Sequence, residues 1–282
     1  MKITLGSDPE LMLMDRNAGK IVNALDVIGR DKTDPVELDC GEKYYADNAL
    51  FEFSVKPADT TLGIISNLQR VIQESAFRLP DHKMVAQSSH VFDKEDLKNP
   101  SSWLIGCTPS FNAWTEQVNQ PGKFESGLRT GSFHIHIGMG TLKKLSEKLL
   151  AVKMLDIHLG CASVLFDQDP SVKARRQLYG KAGEFRPTPY GIEYRVLGNW
   201  ALGNKELTTF IFDFVGWILL ESKDNAQKII KEVNREDVFQ AINECDALAA
   251  VRVLKSVCLP DRIMDTISKN YSHDFNAAWG VK

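Results

Sequence analysis

Ser132-Phe133-His134-Ile135-His136-Ile137-Gly138 is the stretch that decides how this chain is read. On a β-strand, successive side chains point to opposite faces. His134 and His136 therefore point one way, and Phe133, Ile135 and Ile137 the other. The apolar face belongs to a core, and the imidazoles face whatever lies across the sheet. Two imidazoles so placed suit a metal, or one metal and one substrate group. A lone histidine is more often structural. The HxH pattern inside a glycine-bounded strand is more specific, but it also occurs in metal-dependent hydrolases and does not fix the reaction.

Three further segments place charge in a strand-like context. In Gly6-Ser7-Asp8-Pro9-Glu10, Asp8 and Glu10 share one face, and Pro9 cannot donate to a ladder, which fits an irregular or edge position. The plain alternative is a polar turn before the Leu11-Met12-Leu13-Met14 strand. In Asn48-Ala49-Leu50-Phe51-Glu52-Phe53, Glu52 interrupts an apolar run. Burying it is costly unless it is paired or bound to a cation. Asn48 shares its parity, and a solvated strand face is the alternative. The segment from Arg175 to Arg195 packs Arg175, Arg176, Lys181, Arg186 and Arg195 into 21 positions broken by glycines and prolines. Arginine donates bidentately to phosphate and lysine acts as a point charge, so such a run suits a polyphosphate. Glu193 and Arg195 again alternate on one strand face. A solvated basic loop is the alternative.

Carboxylates with imidazole suit Mg²⁺ or Mn²⁺, and clustered cations suit phosphates, which together is the logic of metal-assisted phosphoryl transfer. No GxxxxGK[ST], protein-kinase signature or GxGxxG occurs in the sequence, which excludes a P-loop enzyme, a protein kinase and a dinucleotide fingerprint.

Composition agrees with an ordinary globular chain. Its 282 residues carry 34 Lys+Arg and 37 Asp+Glu, for a net charge of −3, with 43% hydrophobic and 25% charged residues. Disorder needs fewer apolar residues and more net charge, and a nucleic-acid-coating protein shows a basic excess. No apolar run is read as reaching the ~18 residues of a membrane helix; Phe210 to Leu220 is taken as the most apolar stretch, and it contains Asp213. The first residues lack the long apolar region of a signal peptide. Five scattered cysteines without a CxxC pair read as reduced thiols, so a cytoplasmic protein is expected, with neither a membrane nor a nucleic-acid partner.

Periodicity predicts strands over Ile3 to Met14, interrupted at Pro9, and over Tyr44 to Val55, Met84 to Ser88, Trp103 to Cys107, Phe133 to Met139 and Gly191 to Leu197, with Lys20 to Val27 as a hairpin partner of the first. Helices are expected from Thr60 or Thr61 to Pro80 and from Thr141 to about Phe166, and almost throughout after Glu206, with breaks at Asp224-Asn225, Arg235-Glu236-Asp237 and Pro260. No repeat or low-complexity linker divides the chain. The expected class is α+β, one domain over residues 1–282, with residues 206–282 a helical C-terminal region rather than a separate domain.

The order of these segments, with the wording GSDPE, FEF, HIHIG and YGKAGEFRPTPYGIEYR, resembles the glutamine synthetase-like carboxylate–amine ligases, which include glutamate–cysteine ligase. It is most similar to the phage-type amidoligases called COOH–NH2 ligase type 2. The resemblance covers roughly residues 3–203. It implies a curved, mainly antiparallel sheet with the active site on its concave face and helices on its convex side. It implies ATP-dependent amide formation, in which ATP phosphorylates a carboxylate and an amine attacks the acyl phosphate, with Mg²⁺ or Mn²⁺ as cofactor. The substrates implied are small-molecule or peptide carboxylates and amines, in a host cytoplasm if the protein is phage-encoded. By resemblance, Asp8, Glu10, Glu52, His134 and Glu193 are the metal ligands. His136 lies at a nucleotide or substrate contact. Arg195 neutralises the transferring phosphate, and with Glu193 it is the catalytic pair. Lys181 and Arg186 contact the ATP phosphates, with Arg175 or Arg176 as further candidates. Asp8 stands where larger relatives carry Glu, and Asn48 where some carry another acid, so the metal count stays open. The rival readings are a metal-dependent hydrolase built on His134 and His136, and a non-catalytic nucleotide-binding relative.

Overall fold

The histidine strand lies near the middle of a large sheet. A computed structural model describes residues 2–103, 110–119 and 127–281, with the side chains of 222 and 223 left aside. The strands are β1 (Ile3–Ser7), β2 (Glu10–Asp15), β3 (Ile21–Val22), β4 (Val36–Glu37), β5 (Lys43–Asp47), β6 (Leu50–Ala58), β7 (His82–Val85), β8 (Ser89–Val91), β9 (Phe111–Asn112), β10 (Gln117–Val118), β11 (Leu128–Thr130), β12 (Ile135–Met139), β13 (Glu184–Pro187) and β14 (Gly191–Tyr194). The helices are α1 (Ala24–Ile28), α2 (Thr61–Arg78), α3 (Leu145–Leu155), α4 (Cys161–Phe166), α5 (Val172–Leu178), α6 (Lys205–Glu232), α7 (Arg235–Glu244), α8 (Ala247–Ser256), α9 (Asp261–Ser268) and α10 (Phe275–Trp279).

Among the described residues, 12 strands form one sheet with the path β10-β9-β13-β14-β12-β1-β6-β2-β3, while β4 and β5 extend it beside β6, and β7 pairs with β2. Every strand pairing in it is antiparallel. β8 and β11 form a separate two-stranded sheet. The result is a mixed α/β protein with a large antiparallel sheet. A contiguous core includes Leu5, Phe51, Ile135, Ile137, Tyr194, Phe212 and Trp279, joining both ends of the chain to the sheet.

Several elements differ from the sequence reading. Tyr44 to Val55 is not one strand but a hairpin: β5 and β6 meet at Asn48, whose φ of 57° places it in the left-handed region that Asn tolerates. Lys20 to Val27 is a two-residue strand followed by α1, which Asn23 caps by accepting from the Leu25 N–H. Met84 to Ser88 shifts into β7 and β8. Most of the expected Trp103–Cys107 strand, including Cys107, lies outside the described residues. Thr60 caps α2 as expected. Lys144, not Thr141, opens α3. α6 runs through Asp224-Asn225 without a break, while Asn234 and Pro260 do mark helix starts. The expectation about apolar runs is also corrected. Leu145–Phe166 is long and apolar enough by composition to cross a membrane, yet 78% of that window is buried inside the protein, as in a core helix.

Candidate functional site

The register of the sheet explains why the four segments converge. Gly6 of β1 lies opposite His136 of β12, His136 opposite Glu193 of β14, and Glu193 opposite Arg186 of β13. Moving two residues along each strand keeps the same face and brings in Asp8, His134 and Arg195. Gly6 sits tightly in this row: a Cβ there would stand 3.3 Å from the His136 Cβ. The neighbouring row pairs Glu10 directly with Glu52, and Glu52 with Tyr45.

Several of these residues line a cavity of about 320 Å³, among them Asp8, Glu10, Glu52, His134, Arg186 and Arg195, with Asp47 beside them. Two ligand groups stand out. Asp8, His136 and Glu193 offer donor atoms that all lie within 4.8 Å of one another, and so do Glu10, Asp47 and Glu52. Asp8 Oδ1 lies 2.9 Å from His136 Nε2 and 3.2 Å from His134 Nδ1. The outer nitrogens meet tyrosines: Tyr179 Oη lies 3.2 Å from His134 Nε2, and Tyr190 Oη 3.0 Å from His136 Nδ1. Arg186 donates to Glu193 Oε2 at 2.9 Å, and Arg195 donates to Oε1 of the same carboxylate. Tyr45 donates to Glu52 at 2.7 Å.

The electrostatics follow from this crowding. Burial pushes the Glu10 carboxyl up to about 8, with the Asp47 charge adding to it. Burial and the charge of Asp8 raise Glu52 well above the carboxylate range, and burial raises Asp47 too. Burial also works to raise Asp8, but the two imidazoles outweigh it and hold Asp8 well below the usual range. Burial and Arg195 push His134 down to about 3. Asp8 overcomes burial to raise His136. Without bound cations, the cluster keeps Asp8 ionised and His134 neutral, and favours a proton on His136.

The residues fit a hard divalent cation. Glu10 and Glu52 are like charges directly opposite on neighbouring strands, an arrangement that is destabilising by itself. They are buried, and with Asp47 they present only oxygen donors, which suit Mg²⁺ or Mn²⁺.

The structure thus brings together Asp8, Glu10, Glu52, His134, His136, Arg186, Glu193 and Arg195. His136, expected at a substrate contact, is the imidazole grouped with Asp8 and Glu193, while His134 lines the cavity. Three of the cations are not brought into this group. Arg175 is wholly buried and donates to the Gly131, Val196 and Arg195 carbonyls and to Ser132 Oγ. Arg176 is buried against the carbonyls of Gly180 and Val196. Both act as internal braces of the fold. Lys181 is exposed and does not line the cavity. The supposed basic loop is α5, a tight turn and the β13–β14 hairpin.

Sequence reasoning missed Asp47, Lys32, Tyr179 and Tyr190. Asp47 was legible: Asp-Asn between apolar runs is a hairpin signal, and splitting the run there puts Asp47 two residues from Tyr45 on the Glu52 face. Lys32, on an exposed loop beside the Tyr45 ring, carries no such signal.

Residues 124–261 match the family described as Phage phiEco32-like COOH.NH2 ligase-type 2. That match holds His134, His136, Arg186, Glu193 and Arg195, and bears out the resemblance read from the motifs. A solved structure described as "Apo GmaS without ligand" is similar at 13% identity and a TM-score of 0.44, covering 99% of this chain and 67% of that one. No curated protein matches the chain.

Proposed function

We propose that this chain, whose family match supports an amide-bond-forming carboxylate–amine ligase, is ATP-dependent and works through an acyl phosphate. The observation that carries the reading is one cavity lined by the carboxylates of Asp8, Glu10, Asp47 and Glu52 and by two arginines that share Glu193, which groups with Asp8 and His136. Glu10, Asp47 and Glu52 would hold one Mg²⁺ or Mn²⁺, and Asp8, His136 and Glu193 a second. Bound there, the ions supply charge neutralisation for the ATP phosphates.

The chain's own residues account for the rest. Arg195 and Arg186 reach the γ-phosphoryl group and spread the charge that develops as it moves to the substrate carboxylate. Tyr190 fixes the His136 imidazole from the outer side, as outer partners of metal-site histidines do, and Tyr179 contacts His134 in the same way. The reaction requires that water be kept from the activated carboxylate, which it would otherwise hydrolyse. The substrates are taken to be small-molecule or peptide carboxylates and amines, and residues 1–282 one catalytic unit in a fold of the glutamine synthetase type. The free cysteines Cys40, Cys161, Cys245 and Cys258 suit a reducing cytoplasm, that of a host if the protein is phage-encoded.

A screen for amine-dependent ADP release over amino acids, polyamines and peptides tests the reading. The unmutated protein is expected to release ADP with one carboxylate–amine pair, and Glu193→Gln to lose at least 100-fold, roughly what removing one electrostatic stabiliser costs. Wild-type turnover in Glu193→Gln would remove Glu193 from the site.

A further inference from the structure

Behind the strand that carries Glu193 and Arg195 lies a buried carboxylate with no part in the mechanism above. Asp156 is fully buried and opens a π-helical turn, Asp156–Gly160, in the helical run that joins α3 to α4. Such turns insert one extra residue into a helix and recur at functional sites. The Asp156 carboxylate accepts three hydrogen bonds. Tyr194 Oη donates to Oδ1 at 2.8 Å, and Trp114 Nε1 and the Gly183 N–H donate to Oδ2 at 2.6 and 2.5 Å.

Two of these donors belong to the site's own strands. Tyr194 stands between Glu193 and Arg195, so its side chain leaves the opposite face of the sheet. Gly183 immediately precedes β13, the strand of Arg186, and has a φ of 84°. The Gly183 carbonyl in turn accepts from the Ala113 N–H, next to Trp114. One carboxylate therefore fixes the two strands whose other face presents Arg186, Glu193 and Arg195. The turn is shaped for this contact. A Cβ on Gly160 would stand 2.8 Å from Tyr194 Oη and 2.7 Å from Ile242 Cδ1, so only glycine leaves the hydroxyl room. The extra residue of the π turn and its closing glycine frame the same tyrosine.

We propose that Asp156 is a positioning residue for the site, setting the placement of Glu193, Arg195 and Arg186 by holding Tyr194 and Gly183 from behind the sheet. The inference rests on the metal-dependent ligase reading, and its test separates the two. The probe is Mn²⁺ alone, titrated calorimetrically and by electron paramagnetic resonance, with melting temperature measured in parallel. Tyr194→Phe keeps the ring and removes the link. It is expected to weaken Mn²⁺ binding about tenfold, the lower end for losing an outer partner of a metal site, at well below its melting temperature. Asp156→Asn is expected to bind Mn²⁺ within about twofold of the unmutated protein. Its amide oxygen can still accept from Trp114 and Gly183 while its NH₂ donates to Tyr194 Oη. If Tyr194→Phe does not accumulate folded, Gly160→Ala carries the same expectation, because it crowds that hydroxyl from the helix side. A lowered melting temperature with unchanged Mn²⁺ affinity in the folded variant would show Tyr194 and Asp156 to be packing only, and overturn the positioning role. Absence of Mn²⁺ binding in the unmutated protein would overturn the ligase reading, and this inference with it.

Discussion

Glu10 and Glu52 face each other across two strands, buried, with Asp47 beside them. A protein keeps such a group where something cationic, or a proton, resolves it. Burial raises Glu10 from its ordinary 4.5 to about 8, so between those values the folded chain keeps a proton that the unfolded chain has released. Its stabilising contribution is present below pH 4.5 and is lost as pH rises through about 8. The melting temperature of metal-free protein is therefore expected to fall from pH 5 to pH 8.5, and added Mg²⁺ to restore it at the upper end. A melting temperature flat in pH and indifferent to Mg²⁺ would contradict this account of Glu10. The acids, imidazoles and the Glu193–Arg195 pair were legible because strand parity alone says which residues share a face. Arg175, Arg176 and Lys181 were not. A charge-rich run shows that cations are present, but not whether backbone carbonyls inside the fold take them up first.

Elements carry these residues into register, and small residues decide how closely. Gly6 lets β1 pair closely beside His136. Gly6→Ala forces neighbouring atoms apart by a few tenths of an ångström. It is expected to cost about 1 kcal/mol of stability, at the low end for overpacking, and to weaken Mn²⁺ binding several-fold. Denaturant unfolding and a Mn²⁺ titration check both, and a variant unchanged in both would show β1 to be less tightly fitted than its contacts imply. At this scale the sequence was a partial guide. The HxH and Glu-x-Arg strands were readable from alternation. The β5–β6 hairpin was announced only by Asp47-Asn48 between two apolar runs, a weaker turn signal than a glycine pair, with Asn48 in the left-handed region. The π turn at Asp156–Gly160 was invisible, since one inserted residue barely changes a helical apolar pattern.

Across the whole molecule, the net charge of −3 conceals a local opposition. Asp8, Glu10, Asp47 and Glu52 line one cavity together with Arg186 and Arg195, and both arginines pair with Glu193 beside it. The large antiparallel sheet puts residues near both ends of the 8–195 span on one face, which is why segments so far apart in sequence form one site. The segments were legible, but their distances were not, because they depend on pairings between strands more than 100 residues apart, such as β1 with β12. On the proposed reading, the site binds polyphosphate only when its acids are neutralised. The most direct test is a calorimetric titration of the protein with ATP, with and without Mg²⁺. Saturable binding that appears only with Mg²⁺ or Mn²⁺ is predicted; ATP binding of equal strength without the metal, or none with it, would contradict the account.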